Sequence, residues 1–129
     1  MALFLLDSDA VIDHLNQIPS TTALLIDLLA RDEILCVCDI VIAEVYAGLY
    51  PEQEQVVANL FSALPFLPTS ATAAEQAGRW RFHYARQRQN VPLTDALIAA
   101  TALHHNATVV TANLRDYPMP EVSILPLPR

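Results

Sequence analysis

Carboxylates stand at unusual places in this chain, next to apolar stretches or inside them. The segment "LFLLDSDAVID", residues 3–13, passes from four apolar residues directly to Asp7, Asp9 and Asp13. An apolar run of this kind predicts a short buried strand. A carboxylate at its end either caps the following helix or helps to hold a cation, and the segment alone leaves both possibilities open.

Two further acids are isolated in apolar surroundings. Glu44, in "IVIAEVYAGLY", is the only charged residue between Ile40 and Pro51, and this segment predicts a helix that is apolar on every side and therefore buried. Asp95 is the only charged residue of "LTDALIAATAL". A lone buried carboxylate is costly unless it is paired or bound to metal. For Asp95 alone, a favourable charge at a helix N-terminus is an equally good explanation.

The elements that must position these acids alternate between strands and helices. Apolar runs predict strands at 2–6, 34–38, 66–68, 108–110 and 123–127. Helices are predicted after caps at Ser8, Ser20, Asp39, Thr69 or Ser70, and Thr94, with one more helix in 52–64; the first ends before Pro19, the fifth near Gln89 and the last at Asn106. This alternation predicts a parallel sheet with helices on both faces, and we expect residues 1–129 to form a single domain.

The predicted sheet brings the acids to one edge, because ligands of open parallel sheets bind beyond the carboxyl ends of the strands. Asp7 directly follows the first strand, and Glu44 lies one turn into the helix after the second. Asp95 begins a helix, and "TANLRDY", with Asn113 and Asp116, follows a later strand. Carboxylates that meet there would repel one another unless a divalent cation held them. Oxygen ligands without cysteine or histidine select Mg²⁺ or Mn²⁺.

Composition adds a constraint on partners. The net charge is −7, from fourteen acidic residues against seven arginines and no lysine. Such a chain repels nucleic acid unless a local feature, such as a bound divalent cation, reverses the field. Hydrophobic residues make up 53% of the chain and the mean hydropathy is +0.32, so we expect a buried partner interface, most simply in a homodimer.

The cysteines and apolar stretches bear on localisation. Cys36 and Cys38 share one face of a predicted strand, where they are expected to pack as small apolar groups and not to bind zinc. Two thiols without an export signal indicate a cytoplasmic protein. The longest uncharged stretch, residues 55–74, contains two prolines and does not predict a membrane span.

Four of the seven arginines fall within "RWRFHYARQR", residues 79–88. At helical spacing, Trp80 and Tyr84 form an inward stripe and the arginines face outward. The outward side is either a rim that follows the phosphates of a nucleic acid or an ordinary solvated helix face.

The chain resembles the PIN-domain ribonucleases, specifically the VapC-type toxins of bacterial toxin–antitoxin pairs. The resemblance runs nearly end to end and rests on four segments in order: "LLDSDAVID", "IVIAEVYAGL", "LTDALIAATAL" and "VVTANLRDY". It implies an α/β/α sandwich on a parallel central sheet. It also implies a catalytic and metal-binding set of acids, namely Asp7, Glu44, Asp95 and Asp116. Members of the family place the fourth acid at either the Asn113 or the Asp116 position, and here Asp116 is the acid.

The same resemblance implies Mg²⁺-dependent hydrolysis of RNA phosphodiester bonds, with Mn²⁺ as a possible substitute. Polar residues around the pocket would contact the RNA, and they are Ser8, Thr111, Asn113 and Arg115. A cognate antitoxin protein is the implied partner.

Two alternatives remain at this stage. The opening motif also resembles that of haloacid-dehalogenase-type phosphatases, in which Asp7 would be the nucleophile and Asp9 the general acid. The downstream lysine and the late pair of acids typical of those enzymes are missing from this chain. The second alternative is a non-catalytic PIN-like module that binds RNA or protein. Four isolated acids argue against it, because a binding module has no need of them.

Overall fold

The computed structural model describes residues 1–128 and contains a five-stranded parallel sheet flanked by helices. The strands are β1 (Leu3–Leu6), β2 (Ile34–Cys38), β3 (Phe66–Leu67), β4 (Ala107–Thr111) and β5 (Ile124–Pro126). Their order across the sheet is β3-β2-β1-β4-β5, and every neighbouring pair is parallel. The α/β/α architecture predicted from the sequence is confirmed.

Six α-helices connect and cover the strands: α1 (Ser8–Leu15), α2 (Pro19–Ala30), α3 (Asp39–Ala47), α4 (Glu54–Ala63), α5 (Ala71–Ala85) and α6 (Leu93–His104). Two short 3₁₀ segments, Pro51–Gln53 and Leu114–Asp116, complete the described chain. No helix within the described residues is long and apolar enough to cross a bilayer.

The core includes the central strand β1, its neighbour β4, and helix α6, which packs against β4. Leu5, Val109 and Ile98 are fully buried there, and burial of side chains of this size contributes about 1.5–3 kcal/mol each. Helix α6 also buries four alanines, namely Ala96, Ala99, Ala100 and Ala102. Cys36 and Cys38 are buried with free thiols, as predicted from their spacing on β2.

Several helix starts differ from the sequence prediction by one or two residues. Helix α1 is capped by Asp7, not by Ser8, because the Asp7 carboxylate accepts the backbone N–H of Ser8 at 2.7 Å. Helix α2 begins at Pro19, which the prediction placed in the preceding turn. Proline suits the first helical position because its fixed φ is helical and its missing N–H is not needed there.

Helices α3 and α6 also begin early, at Asp39 and Leu93, by one and two residues respectively, so neither Asp39 nor Thr94 is the cap. Helix α5 ends at Ala85, short of the predicted end, and Ser70 caps it by accepting the backbone N–H of Ala73 at 3.0 Å.

The prediction that α3 is buried on every side is wrong. One side of α3 packs against α1 and α6, while the other side leaves Ala43, Tyr46 and Ala47 exposed. These three residues are apolar, but an apolar residue is not necessarily buried within a single chain.

Candidate functional site

Asp7 lies at the carboxyl end of β1, in the middle of the sheet, and only 1% of its surface is exposed. Its Oδ1 accepts the backbone N–H of Ser8 at 2.7 Å. Its Oδ2 accepts the hydroxyls of Thr111 and Tyr117, each at 2.8 Å. Three donors therefore fix the carboxylate in one orientation. Asp7 is a helix cap and also part of a buried polar site, so the two possibilities raised by the sequence are not exclusive.

Asp95 lies in the first turn of α6 and is 7% exposed. Burial raises its pKa to about 8, together with the negative charge of Asp7, a hydrogen bond with Asp116, and the charges of Asp116 and Glu44. Charges from three other segments act on this one carboxyl group, which indicates that the four side chains lie near one another. We call Asp7, Glu44, Asp95 and Asp116 the acid cluster.

Glu44 contributes to the cluster from α3 and is half-buried. Its pKa is raised by burial and by the charge of Asp7, while hydrogen bonds from the Ser8 and Thr94 side chains lower it. Its Oε1 is buried and has no hydrogen-bond partner among residues 1–128. A buried oxygen without a donor is costly, and a bound cation would compensate it.

Asp9, on the first turn of α1, is a fifth acid at this site. Its Oδ2 accepts the backbone N–H of Ala112 at 2.8 Å and lies 3.3 Å from the Thr111 hydroxyl. Its Oδ1 is buried without a hydrogen-bond partner in the described chain, and its pKa is raised by burial and then by the charge of Asp7. From the sequence, a role for Asp9 was expected only in the phosphatase alternative. The Asp-x-Asp spacing at the end of β1 was the available signal.

The four residues expected to contact substrate occupy different environments. Ser8 is half-buried next to Asp7. Asn113 and Arg115 are exposed in the segment after β4, which lines an open polar cavity of about 400 Å³. Thr111 is fully buried, and its Oγ1 accepts the backbone N–H of Asn113 at 3.0 Å while donating to Asp7. This environment favours a role for Thr111 in orienting Asp7 over direct contact with a substrate.

Tyr117, which immediately follows Asp116, was not singled out by the sequence analysis. Its ring is buried, and its hydroxyl donates to Oδ2 of Asp7. Burial and the charge of Asp7 raise its pKa, so the hydroxyl keeps its proton and remains a donor. The polar segment "TANLRDY" ends at this residue, but nothing in the segment indicates a hydrogen bond to a strand 110 positions earlier.

The side chains present fit a hard divalent cation. Their ligand atoms are oxygens, which Mg²⁺ and Mn²⁺ prefer, and two of these oxygens, on Asp9 and Glu44, are buried without hydrogen-bond partners within residues 1–128. Within the same residues, no three His, Cys, Asp or Glu side chains already form a metal-binding group. The carboxylates thus lie at one site, but they are not arranged as a set of metal ligands within the described residues.

The structure does not supply what the phosphatase alternative lacks. The chain contains no lysine, and Asp95 is the only acid of the described helix α6.

The arginine segment of α5 packs as expected, with Trp80 and Tyr84 buried. Arg81 donates from Nε to the carbonyl of Val91 at 3.0 Å, and the Arg86 guanidinium lies 3.3 Å from the ring centroid of Phe82. Arg79 lies 3.9 Å from Glu75, so three of the four arginines contact the chain itself. This favours the structural interpretation, and contact with RNA stays a prediction.

Comparison with known proteins identifies relatives that cover almost the whole chain. A family model described as "PIN domain" matches residues 4–122. Ribonuclease VapC19 of Mycobacterium tuberculosis is 30% identical over 115 residues, which cover 89% of this chain and 92% of the relative. Among solved structures, the DNA-bound VapBC of Salmonella typhimurium superposes with a TM-score of 0.83 at 28% identity, covering 99% of this chain and all of that one. VapBC2 of Rickettsia felis, bound to a DNA fragment from its promoter, gives 0.80 at 25% identity and covers 96% and 98%.

Proposed function

This chain belongs to the PIN domain family, and we propose that it is a metal-dependent endoribonuclease, the toxin of a toxin–antitoxin pair. The ribonuclease activity named for its relatives supports an enzyme over the non-catalytic alternative.

The observation that carries the proposal is the shared environment of the acid cluster. Acids from three other segments, Asp7, Glu44 and Asp116, raise the pKa of a single carboxyl group, that of Asp95. A fold gains no stability by burying mutually repelling carboxylates, so the arrangement calls for a function. A site of this kind at the carboxyl edge of a parallel sheet is where an α/β protein binds its ligand.

Ribonucleases of this family use a divalent cation, and Mg²⁺ is the proposed ion here, with Mn²⁺ as a substitute. Asp7, Glu44, Asp95 and Asp116 would hold it. When bound, the cation would neutralise the scissile phosphate, activate a water molecule and stabilise the leaving oxygen. It would also reverse the local negative field that otherwise repels RNA from this acidic chain.

The residues of the chain have distinct tasks in this proposal. Asp95 must release its proton to become a ligand, so cation binding competes with protonation. Ser8 and Thr111 keep Asp7 oriented. Asn113 and Arg115, exposed beside the cluster, are the proposed contacts to the RNA backbone.

Partner binding is proposed from the apolar surface. An apolar groove of about 280 Å³ lies between α2 and α4, and its lining includes Leu25, Ile26, Leu29, Leu60 and Leu64. The solved VapBC relatives are toxin–antitoxin complexes, so we assign this groove to the cognate antitoxin. Apolar side chains outside the groove, such as Phe66 and Phe82, are exposed as well, which supports the proposed homodimer.

The test is cleavage of end-labelled single-stranded RNA by the purified protein. We expect cleavage in Mg²⁺ or Mn²⁺, none in chelator, and none by Asp95→Asn. The matched control is Asp32→Asn, which removes an exposed acid outside the cluster and should leave cleavage intact. Cleavage that survives the chelator or Asp95→Asn would refute the proposed site.

A further inference from the structure

We propose that Tyr117 is a positioning residue that fixes Asp7 in the orientation required for cation binding. The inference rests on the proposed function, because it takes Asp7 as a ligand of the cation.

The contact between Tyr117 and Asp7 is specific, and both side chains are buried. The Tyr117 hydroxyl donates to Oδ2 of Asp7 at 2.8 Å, with Tyr117 only 5% and Asp7 only 1% exposed. A buried tyrosine ring has few rotamers, so it presents its hydroxyl at one place. Because Oδ1 is already held by the N–H of Ser8, the Tyr117 bond removes the remaining freedom of the carboxylate to rotate.

Thr111 also donates to Oδ2 of Asp7, but it is a less selective donor. Its single hydroxyl proton has two carboxylates within reach, Asp7 at 2.8 Å and Asp9 at 3.3 Å. The Tyr117 hydroxyl bonds only to Asp7 among the described residues. Tyr117 therefore keeps Asp7 in place even when the Thr111 proton turns towards Asp9.

The neighbouring residue strengthens this interpretation. Asp116 raises the pKa of Asp95 through a hydrogen bond and through its charge, while Tyr117 bonds Asp7, so two adjacent residues act on both buried acids of the cluster. The segment after β4 thereby links the end of β1 to the start of α6. Groups that hydrogen-bond a metal ligand orient it, and their removal typically weakens metal affinity or activity about 10- to 100-fold.

The experiment measures Mn²⁺ affinity and not RNA cleavage. Free Mn²⁺ is followed by its electron paramagnetic resonance signal as each protein is titrated, with circular dichroism to verify folding. Tyr117→Phe removes only the hydroxyl and should weaken Mn²⁺ binding about tenfold or more. The matched control is Tyr84→Phe, which removes the hydroxyl of another buried tyrosine, on α5. Burial and the charge of Glu121 raise the pKa of Tyr84, and no acid of the cluster contributes to that shift. It should bind within about twofold of wild type, because it removes no hydrogen bond to a ligand.

The outcomes separate the two proposals. If wild type binds Mn²⁺ and Asp7→Asn does not, the metal site of the proposed function stands. Unchanged affinity in Tyr117→Phe would then overturn the positioning role alone, as would equal weakening in Tyr117→Phe and Tyr84→Phe. If wild type and Asp7→Asn bind alike, or neither binds, the metal site is refuted and the positioning role with it. Weakening confined to Tyr117→Phe is the expected result.

Discussion

Asp95 illustrates, at the scale of single residues, a conflict between stability and function. A carboxyl group in a buried helix turn, facing three other acids, keeps its proton up to a pH of about 8. Since the folded protein binds that proton more tightly than the unfolded chain, whose carboxyl titrates near 4, deprotonation opposes folding. The free energy of unfolding of the metal-free protein should therefore fall as the pH rises from about 4 to about 8.

The first prediction follows from this loss of stability with rising pH. Asp95→Asn removes the titration, so in chelator it should raise the melting temperature at pH 8 by roughly 3–6 °C, for a gain of about 1 kcal/mol. At pH 5 the gain should be much smaller, because the wild-type carboxyl is already neutral there. Thermal unfolding across the pH series measures the effect. Equal gains at both pH values, or the same gain in Asp32→Asn, would contradict it.

Glu44 gives a second prediction for a single residue. Glu44→Gln removes one negative charge that acts on Asp95, so the titration midpoint of the Asp95 carboxyl should move to lower pH. Carboxyl-carbon NMR of the metal-free protein measures this midpoint. Glu52→Gln, an exposed change in the segment before α4, is the control and should leave it in place. An unmoved midpoint in Glu44→Gln would show that Glu44 lies outside the cluster.

The sequence reveals isolated acids better than it reveals the residues that hydrogen-bond to them. A charge isolated among apolar residues is visible in the printed chain, and this pattern identified Glu44 and Asp95. The Tyr117 hydroxyl is not visible in this way, because tyrosine is common in both cores and loops and its acceptor is 110 positions away. Only the packed sheet brings the two together.

At the scale of elements, the hairpin of α5 and α6 positions Asp95. Arg81 on α5 bonds the carbonyl of Val91, two residues before α6 begins. Arg79, on the same helix, has only a 3.9 Å exposed ion pair with Glu75, and exposed pairs of this kind contribute little.

Arginine substitutions give the third prediction. Arg81→Ala should lower the free energy of unfolding by about 1 kcal/mol, which is the usual contribution of one hydrogen bond, while Arg79→Ala should change it little. Chemical denaturation compares the two variants. If instead both keep wild-type stability and both weaken RNA binding with a reduced salt dependence, the arginines would be a phosphate-binding rim.

Element types were predictable because hydrophobic periodicity distinguishes strands from helices. Element starts were less so, because adjacent residues compete to cap a helix. Asp7 and Ser8 are both favoured caps, and the hydrogen bond to the Ser8 N–H decided for Asp7. The end of α5 was placed too late because its polar final residues continue a helical composition while the backbone turns, reaching a positive φ at Arg88.

At the scale of the whole molecule, the structure shows where part of the excess apolar surface lies. Ile26 and Leu29 are 60% and 55% exposed and line the groove between α2 and α4. Composition predicted an interface, but it carries no information about which face is left uncovered. That information requires the packed chain.

The groove gives the fourth prediction. Leu29→Asp places a charge in the apolar groove and should abolish protection by the co-expressed antitoxin while leaving RNA cleavage intact, because no acid of the cluster lines the groove. Val56→Asp, which adds a charge to an exposed apolar site on α4 that does not line the groove, is the control and should stay protected. Growth after induction, with RNA cleavage measured in parallel, tests both variants. Continued protection of Leu29→Asp would remove the groove from the antitoxin interface.

The most direct test of the proposed site is a crystal of the protein soaked in Mn²⁺, with diffraction data collected at the manganese absorption edge. We expect an anomalous peak bounded by the carboxylates of Asp7, Glu44, Asp95 and Asp116, at Mn²⁺ concentrations that support RNA cleavage. A cluster without a peak under those conditions, or a peak at another part of the chain, would contradict a cation-dependent nuclease centred on these acids.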